Sequence, residues 1–366
     1  MASVDKVGTG WRARWRTPEG ESRSKTFAKK VDAERWLTHT EHTKLRGTHT
    51  DPTAGKVTFG DYAGAWVSNQ VWRPSTTVRV ETIVTTHLEP RFGKMAMASI
   101  TPSHVQTMVK SLSETMAPGT VRGVYSALAA IFRTAIRDRV VANSPATPDI
   151  RLPEVAQRRV VPLALEQVET LADAVGPLYR PLVVLGAGAG LRVGEALGMP
   201  AGGIDFPRRQ LSVTQQAVTV RRVTSIAEPK TKTSVRTIPL ADAVLAELAG
   251  HLEGRKTKPA DLLVADKDGA PIPQNRFSQT WARAVHRSGL PAGTRFHDLR
   301  HTYASALIAS GCSVKVVQGH LGHKSAAMTL DIYSHLWPQD DDRARAAVQT
   351  FFVGGVSSVC HDEATG

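Results

Sequence analysis

The sequence has few cysteines and no long apolar run. Its 366 residues include only Cys312 and Cys360, which form neither a close pair nor a metal-spaced set. Nothing therefore favours a disulfide framework. The longest apolar stretch, residues 181–189, is far below the roughly 18 residues that a membrane helix needs. The N-terminal segment also lacks the apolar region of a secretory signal. These absences predict a cytoplasmic protein.

Acidic residues are too few to balance the basic ones. The chain has 46 Lys and Arg against 33 Asp and Glu, a formal net charge of +13. A field of that sign attracts polyanions, and nucleic acid is the commonest such partner. The charge alone leaves a generic basic protein as the alternative. The length fits two or three domains better than one.

Residues 1–50 predict a small unit of two or three strands and a helix. In residues 9–17, apolar side chains alternate with arginines, which is the period of a strand with one packed face and one basic face. A turn and a second strand follow, and then a helix with Val31 and Leu37 on its inner side. Such a ribbon can enter a DNA major groove; the alternative is a solvated sheet face. The basic strand residues are Arg12, Arg14, Arg16, Arg23 and Lys25.

Residues 57–145 predict a bundle of four helices. Thr58 is placed to cap the first helix, and a threonine followed by Pro102 opens the third. The last helix has an apolar stripe that ends at Ile136. Its other face carries arginines, for which DNA is a fitting partner: Arg122, Arg133 and Arg137. An extended, basic linker is expected over residues 143–162.

Residues 158–342 predict a large domain that mixes helices with short strands. A tail, residues 343–366, follows. Its apolar patch at 348–353 is expected to pack on this domain or on a neighbouring subunit. The fold class is therefore α+β: mainly helical, with a ββ(β)α N-terminal domain, a helical bundle, and a third domain of helices and β-hairpins.

A glycine-rich turn, GAGAGLRVGE at 186–195, lacks the register of a dinucleotide-binding loop and the Gly-Lys-Ser/Thr of a P-loop. Its glycines favour a tight turn that places Arg192 at the start of a helix. A guanidinium and a helix N-terminus would then face the same point, which suits an anion. The alternative is a surface ion pair between Arg192 and Glu195.

The segment HDLRH places His297, Arg300 and His301 on one helical face. The histidine pair resembles half of a zinc site, but no glutamate accompanies it and an arginine lies beside it. A phosphate fits better, because Arg300 can bind it with two hydrogen bonds and His297 can donate or accept. His320 and His323 invite the same metal interpretation and meet the same objection.

Tyr333 lies on a helical stretch with Leu330 and Leu336 on the same face, as in an ordinary core tyrosine. The other candidates change that interpretation. Arginines, histidines and a lysine-rich turn, without a carboxylate cluster, can stabilise a phosphoryl transition state electrostatically. A tyrosine beside them can be the nucleophile.

These segments resemble the tyrosine recombinase (phage integrase) family. The likeness rests on GLRVGE, PKTKTSVRTIPL, HDLRHTYAS, LGH and a tyrosine ten residues later, in the family's order and spacing. It covers the whole large domain, which the resemblance makes the catalytic domain. The N-terminal unit and the helical bundle resemble the arm-type and core-type DNA-binding domains of phage and conjugative-element integrases.

The resemblance implies a role for each matching residue. Arg192 and Arg300 would bind the non-bridging oxygens of the scissile phosphate. Tyr333 would attack phosphorus and leave a 3′-phosphotyrosine and a free 5′-hydroxyl. His297 would act as acid or base, and His323 would donate to the phosphate. These steps need no cofactor, metal or ATP.

Two supporting residues also follow from the resemblance. Glu195 would orient its neighbours. A lysine of the turn before the strand would protonate the leaving 5′-oxygen. Lys230 is preferred to Lys232, because the pattern is Pro-Lys-Thr followed by Ser234 and Arg236.

The implied partners are duplex DNA, with core-type and arm-type attachment sites, and three further copies of the chain in a homotetramer on DNA. A DNA-bending host factor, an excisionase and a nucleoid location in a bacterial host also fit. A type IB topoisomerase-like relaxing enzyme and a Xer-like resolvase are alternatives, but neither uses an arm-binding domain. A non-catalytic DNA-binding regulator is disfavoured because all six catalytic positions are filled.

Overall fold

The fold is described from a computed structural model, which describes residues 3–16, 22–45, 54–156, 160–229, 231–337 and 341–354. The chain divides into two units, Met1–Gln157 and Arg158–Gly366. Each is mainly helical with small antiparallel sheets, which confirms the α+β prediction. Over the described ranges, no helix has the length and apolar character that crossing a membrane requires.

The chain begins with a three-stranded antiparallel sheet under one helix. Its elements are β1 (Ser3–Val7), β2 (Gly10–Arg16), β3 (Ser22–Phe27) and α1 (Lys30–Leu45), in the strand order β1-β2-β3. Alternation along β2 buries Ala13 and Trp15 as predicted. Trp36 of α1 packs edge-on against Trp15, with ring centroids 4.6 Å apart. The prediction that Val31 faces inward was wrong, because Val31 is exposed. Side chains two positions apart on a helix point to different sides, and in α1 Ala33 is the buried one.

The strand register separates the basic residues of this sheet into two groups. Trp15 pairs with Arg23, and Ala13 pairs with Lys25. Residues directly opposite each other in antiparallel strands share a face, so Arg23 and Lys25 lie on the face that α1 covers. The Lys25 ammonium lies 5.4 Å from the Trp36 ring centroid, which agrees with this placement. The opposite, open face carries Arg12, Arg14 and Arg16.

The rest of the N-terminal unit is helical. Its helices are α2 (Phe59–Ser68), α3 (Pro74–Ile83), α4 (Glu89–Phe92), α5 (Pro102–Ser113) and α6 (Pro118–Arg137). Thr58 caps α2 by accepting a hydrogen bond from the Asp61 amide at 3.2 Å, as predicted. Thr101 caps α5 in the same way. A π-helical turn, Val84–Leu88, joins α3 to α4. Pro90 follows this turn and has no N–H to continue the α-helical pattern.

Two predictions, one about α6 and one about the segment that follows it, need correction. Ile136 is exposed, and the smaller Ala135 takes the buried position. The segment after α6 is not a free linker over its described part. Arg122 Nε donates to the Pro153 carbonyl at 2.8 Å, and Tyr125 donates to the Thr147 carbonyl at 2.9 Å. Both bonds hold the segment against α6.

The C-terminal unit surrounds its core with nine helices among the described residues and two small sheets. The helices are α7 (Leu165–Ala174), α8 (Arg180–Ala189), α9 (Val193–Leu197), α10 (Asp242–Leu252), α11 (Gln274–Arg287), α12 (Phe296–Ala309), α13 (Val314–Leu321), α14 (Ala326–Tyr333) and α15 (Asp341–Gly354). The strands are β4 (Ile204–Asp205), β5 (Gln210–Val213), β6 (Gln216–Val220), β7 (Val223–Ala227) and β8 (Arg236–Pro239). One sheet has the order β4-β5-β8, and β6 and β7 form a hairpin. Helices α8 and α12 pack against each other at the centre of the unit.

The described part of the predicted tail is α15, whose apolar residues are exposed. Val348 and Phe352 are 55% and 78% exposed. The tail was predicted to pack on the same domain or on a neighbouring subunit, and these side chains do not pack on the same domain. Residues 355–366 lie outside the described ranges.

Candidate active site

Arg192 is positioned by the glycine turn between α8 and α9. Gly190 ends α8 in the left-handed conformation, at φ +63°. A Cβ there would lie 2.5 Å from the Tyr303 ring, so both backbone and space require glycine. Arg192 then forms the N-cap of α9. This agrees with its predicted place at a helix start.

Glu195 binds two arginines at once. Its side chain is 3% exposed and accepts from Arg192 Nη1 at 2.8 Å and from Arg236 Nη2 at 2.8 Å. It also accepts from the Arg192 backbone amide at 3.0 Å. Burial alone would raise the pKa of Glu195, but the hydrogen bonds and charges of Arg236 and Arg192 outweigh it and lower the pKa to about 2. Glu195 is therefore ionised and fixes the Arg192 guanidinium.

Arg300, on α12, is completely buried. Its Nη1 donates to the Gly190 carbonyl at 2.7 Å, and its Nη2 donates to the Leu321 carbonyl. Its Nε has no hydrogen-bond partner among the described residues. Burial, together with the charges of Arg192 and Arg236, lowers the pKa of Arg300 to about 9. The group remains charged at neutral pH, and it retains a donor that an anion could use.

Both arginines meet at the C-terminal end of α13. Leu321 accepts from Arg300, and Gly322 accepts from Arg192 Nη2 at 3.3 Å. Gly322 adopts φ +60°, and a Cβ there would lie 2.8 Å from the Thr233 carbonyl. The negative end of a helix dipole thus faces two guanidinium groups. His323 follows directly, so one short turn aligns three predicted site residues.

His323 is buried and hydrogen-bonded through Nδ1 to Thr329 Oγ1 at 2.9 Å. Burial, followed by the charges of Arg300 and Arg192, lowers the pKa of His323 to about 3. The ring is therefore neutral at pH 7. In the tautomer in which the Thr329 hydroxyl donates to Nδ1, the ring proton sits on Nε2, the nitrogen needed to donate to a phosphate oxygen.

Tyr333 is the last residue of α14, and its side chain is 1% exposed. Its hydroxyl lies 2.8 Å from His301 Nδ1. Burial raises the pKa of Tyr333 to about 12, although the charges of Arg300 and Arg192 act in the opposite direction. The predicted support by Leu330 was wrong, since Leu330 is 41% exposed. Thr329 takes the buried place beside His323, and Leu336 packs on the core in part.

His297 lies at the rim of this group. Its side chain is exposed, and its ring stands edge-on to His301 with centroids 4.7 Å apart. Partial desolvation, followed by the charges of His301, Arg300 and Arg192, lowers the pKa of His297. The ring is neutral at pH 7 and open to a ligand. Its predicted acid or base role stays a prediction.

The choice between Lys230 and Lys232 stays open, because Lys230 and the Lys232 side chain lie outside the described residues. The backbone of Lys232–Ser234 forms a short 3-10 turn just before β8. Thr231 Oγ1 and Ser234 Oγ lie 2.9 Å apart within this turn.

Sequence reasoning assigned no role to three contributors, His301, Arg236 and Thr329. The sequence placed His301 on the same helical face as His297 and Arg300 but gave it no role of its own. Arg236 entered only as part of a motif, yet it is 6% exposed and ion-paired to Glu195. Thr329 gave no signal in the sequence.

Comparison with known proteins assigns the chain to a family. The model of the phage integrase family matches residues 162–340, and that of the phage integrase central domain matches residues 59–150. The chain belongs to the phage integrase family of tyrosine recombinases. It is therefore a site-specific recombinase, as the sequence predicted.

Similar proteins include a XerC-like tyrosine recombinase of Caldanaerobacter subterraneus. It is 26% identical, over 81% of this chain and 84% of its own length. The prophage phiRv2 integrase of Mycobacterium tuberculosis is 25% identical, over 89% of this chain and 88% of its own. Among solved structures, a Tn1549 transposon integrase in complex with circular intermediate DNA superposes with a TM-score of 0.68. It covers 80% of this chain and 99% of its own at 24% identity, and it supports the fold.

Proposed function

We propose that this recombinase is an integrase that cuts and rejoins duplex DNA through a 3′-phosphotyrosine intermediate. The observation that carries the proposal is the meeting of Arg192, Arg300, His323 and Tyr333 within one unit. Two fixed cations, a neutral donor and a buried phenol are the parts that a phosphoryl transfer without a metal requires.

In the proposed first step, the Tyr333 oxygen attacks the scissile phosphorus and the bond to the 5′-oxygen breaks. Arg192 and Arg300 stabilise the charge on the non-bridging oxygens, and His323 donates from Nε2. Because Arg300 Nε is unpartnered and buried, a phosphate oxygen there would satisfy a donor whose isolation costs about 1–3 kcal/mol. Lys230, or Lys232 in its place, protonates the leaving oxygen.

Rejoining reverses this step with the 5′-hydroxyl of another strand. The phosphotyrosine keeps the energy of the phosphodiester, so no nucleotide cofactor is required. His297, open at the rim, exchanges protons with the reacting groups. Glu195 does not react; it holds Arg192 and Arg236 in place.

We propose three regions for DNA: residues 1–50 for arm-type sites, residues 57–145 for core-type sites, and residues 158–342 for catalysis. The open face of the N-terminal sheet, with its arginines, fits a major groove. Arg122, Arg133 and Arg137 lie within one exposed arc of α6. Arg23 and Lys25 would contact DNA only from the edge of the sheet, because the strand register places them on the face that α1 covers.

The biological reaction we propose is integration, and also excision, of a mobile element, by a homotetramer on paired attachment sites. The similarity to a prophage integrase over most of both chains supports this assignment. A DNA-bending host factor and an excisionase would set its direction. Xer-like resolution and topoisomerase-like relaxation are less favoured, because the N-terminal sheet adds a second DNA-binding surface that neither needs.

The test is single-turnover cleavage by the full chain on a nicked duplex that the protein has itself selected from a random DNA pool. Tyr333→Phe is expected to bind this duplex but to form no covalent complex on a denaturing gel. Tyr303→Phe is the matched control: Tyr303 is also a buried, hydrogen-bonded tyrosine of the same unit, and its variant should cleave. Covalent product from Tyr333→Phe, or none from the unmodified chain, would refute the proposal.

A further inference from the structure

We infer that His301 is a catalytic residue of this recombinase, the base that takes the phenolic proton of Tyr333 during cleavage and returns it during rejoining. The inference rests on the proposed function, because it requires Tyr333 to be the nucleophile. It gives a role to a histidine of the HDLRHTYAS segment to which the family resemblance assigned none.

Geometry selects His301 from the three histidines near Tyr333. His301 Nδ1 is 2.8 Å from the Tyr333 hydroxyl, and the two rings meet at 66°. The His323 ring lies parallel to Tyr333, at 12° and 6.5 Å between centroids, and its Nδ1 is engaged with Thr329. Among the described residues, the hydrogen bonds include none between His323 and the Tyr333 hydroxyl. The ring contact of His297 is with His301.

The reaction needs such a base because Tyr333 is both buried and weakly acidic. With a pKa of about 12, roughly one phenol in 10⁵ is ionised at pH 7. The side chain is 1% exposed, so bulk water has little access to its proton. A base already hydrogen-bonded to the oxygen removes the proton as the bond to phosphorus forms.

His301 also has a route by which a proton can leave. The residue is half-buried, and a cavity of about 170 Å³ opens beside it, lined in part by Thr294, Arg295 and Asp298. The rest of the lining is mostly apolar, but these side chains give water polar partners on the side where His301 lies, and the volume is large enough for it. Tyr333 does not line it. His301 thus contacts the buried phenol on one side and this cavity on the other.

The step balances in atoms and charge. The Tyr333 oxygen bonds to phosphorus, its proton moves to His301 Nδ1, and the bond from phosphorus to the 5′-oxygen breaks. The 5′-oxygen receives its proton from the lysine of the 230–232 turn. In rejoining, the 5′-hydroxyl attacks phosphorus, its proton returns to the lysine, and His301 protonates the departing phenolate.

A hydrogen bond that only holds the Tyr333 side chain in place would have the same distance between His301 Nδ1 and the hydroxyl. The test must therefore distinguish a residue that accepts a hydrogen bond from one that also takes the proton. Asparagine places an amide oxygen near the position of Nδ1, and it can accept the Tyr333 hydrogen bond but not its proton. His301→Asn is therefore the deciding variant. His286→Asn, at an exposed histidine of α11, is the matched control.

Cleavage rates are measured in single turnover on bound full-length protein, with the self-selected nicked duplex. A second substrate carries sulfur in place of the scissile 5′-oxygen, because a thiolate leaves without a proton donor. His301→Asn should be slower than the unmodified chain by about 10²–10⁴-fold on both substrates. Lys230→Ala and Lys232→Ala serve as references, since loss of the leaving-group acid is restored by sulfur.

A His301→Asn rate within about threefold of the unmodified chain overturns the inference and reduces His301 to an anchor. A rate that is low on oxygen but restored by sulfur also overturns it, because His301 would then serve the leaving group. Cleavage by the unmodified chain and by His286→Asn is the separate criterion for the proposed function. If those two fail, the function fails; if only the His301 result fails, the function stands.

Discussion

Replacing Glu195 by glutamine removes the negative charge that holds two cations, and its cost can be estimated from the structure. The pKa of Glu195 falls from 4.5 to about 2 in the folded chain, which corresponds to about 3 kcal/mol in favour of the ionised carboxylate. Loss of one partner from a buried ion pair costs about 3–5 kcal/mol. We therefore expect Glu195→Gln to lower the free energy of unfolding of the C-terminal unit by about 3 kcal/mol.

Glu247→Gln is the matched control for this prediction. Glu247 also forms two hydrogen bonds with an arginine, Arg180, at 2.8 and 3.1 Å, but the two side chains are 43% and 34% exposed. Exposed ion pairs contribute about 0–1 kcal/mol. The two variants thus differ in burial rather than in chemistry.

Native-state hydrogen exchange of α8 and α12 amides in the full chain measures the unfolding free energy of the C-terminal unit. Because the folded pKa of Glu195 is depressed, its contribution is complete above pH 4.5 and disappears as the pH falls toward 2. The difference between the unmodified chain and Glu195→Gln should shrink over that window. If Glu195→Gln and Glu247→Gln lose equal stability at pH 7, the buried ion pair does not have the importance assigned to it here.

Two further predictions concern His323 and the N-terminal sheet. The pKa of His323 is depressed to about 3 in the folded chain, so the unfolded chain binds a proton first and stability falls as the pH drops below 6.5. Between pH 6.5 and 5, the free energy of unfolding should fall by about 2 kcal/mol more in the unmodified chain than in His323→Asn. The same hydrogen-exchange measurement checks this. Equal pH dependence of the two proteins would contradict it. Arg14 lies on the open face of the N-terminal sheet and Arg23 on the covered face, so Arg14→Ala should lower the salt slope of DNA binding by about 1, and Arg23→Ala should leave it unchanged. Equal slopes for these two variants would refute the assignment of faces.

Local rules predicted the placement of Arg192 well. A glycine turn followed by a helix start depends on neighbours in sequence, and Gly190 and Arg192 adopt the expected conformations. Thr58 at the start of α2 is a similar case. The phage integrase family was likewise recognisable, because several short motifs coincide in order and spacing.

Predictions failed where distant contacts choose between helical faces. Leu330 is exposed because Thr329 turns inward to bind His323, six residues away in the chain. Val31 and Ile136 were placed inward by their hydrophobicity, but smaller alanines occupy the positions against the core. The contact between His301 and Tyr333 joins two helices 32 positions apart, and no local pattern contains it.

The hydrogen bond between His301 and Tyr333 has a consequence for the homotetramer proposed above, because both residues belong to one chain. Tyr333, the proposed nucleophile, lies in the same unit as Arg192, Arg300 and His323 of its own chain, so each copy in the proposed homotetramer would cleave with its own tyrosine. A damaged copy would silence one strand and leave the other copies competent. In genetic terms, two defective alleles, one without Tyr333 and one without Arg192, could not complement each other to rebuild a working site.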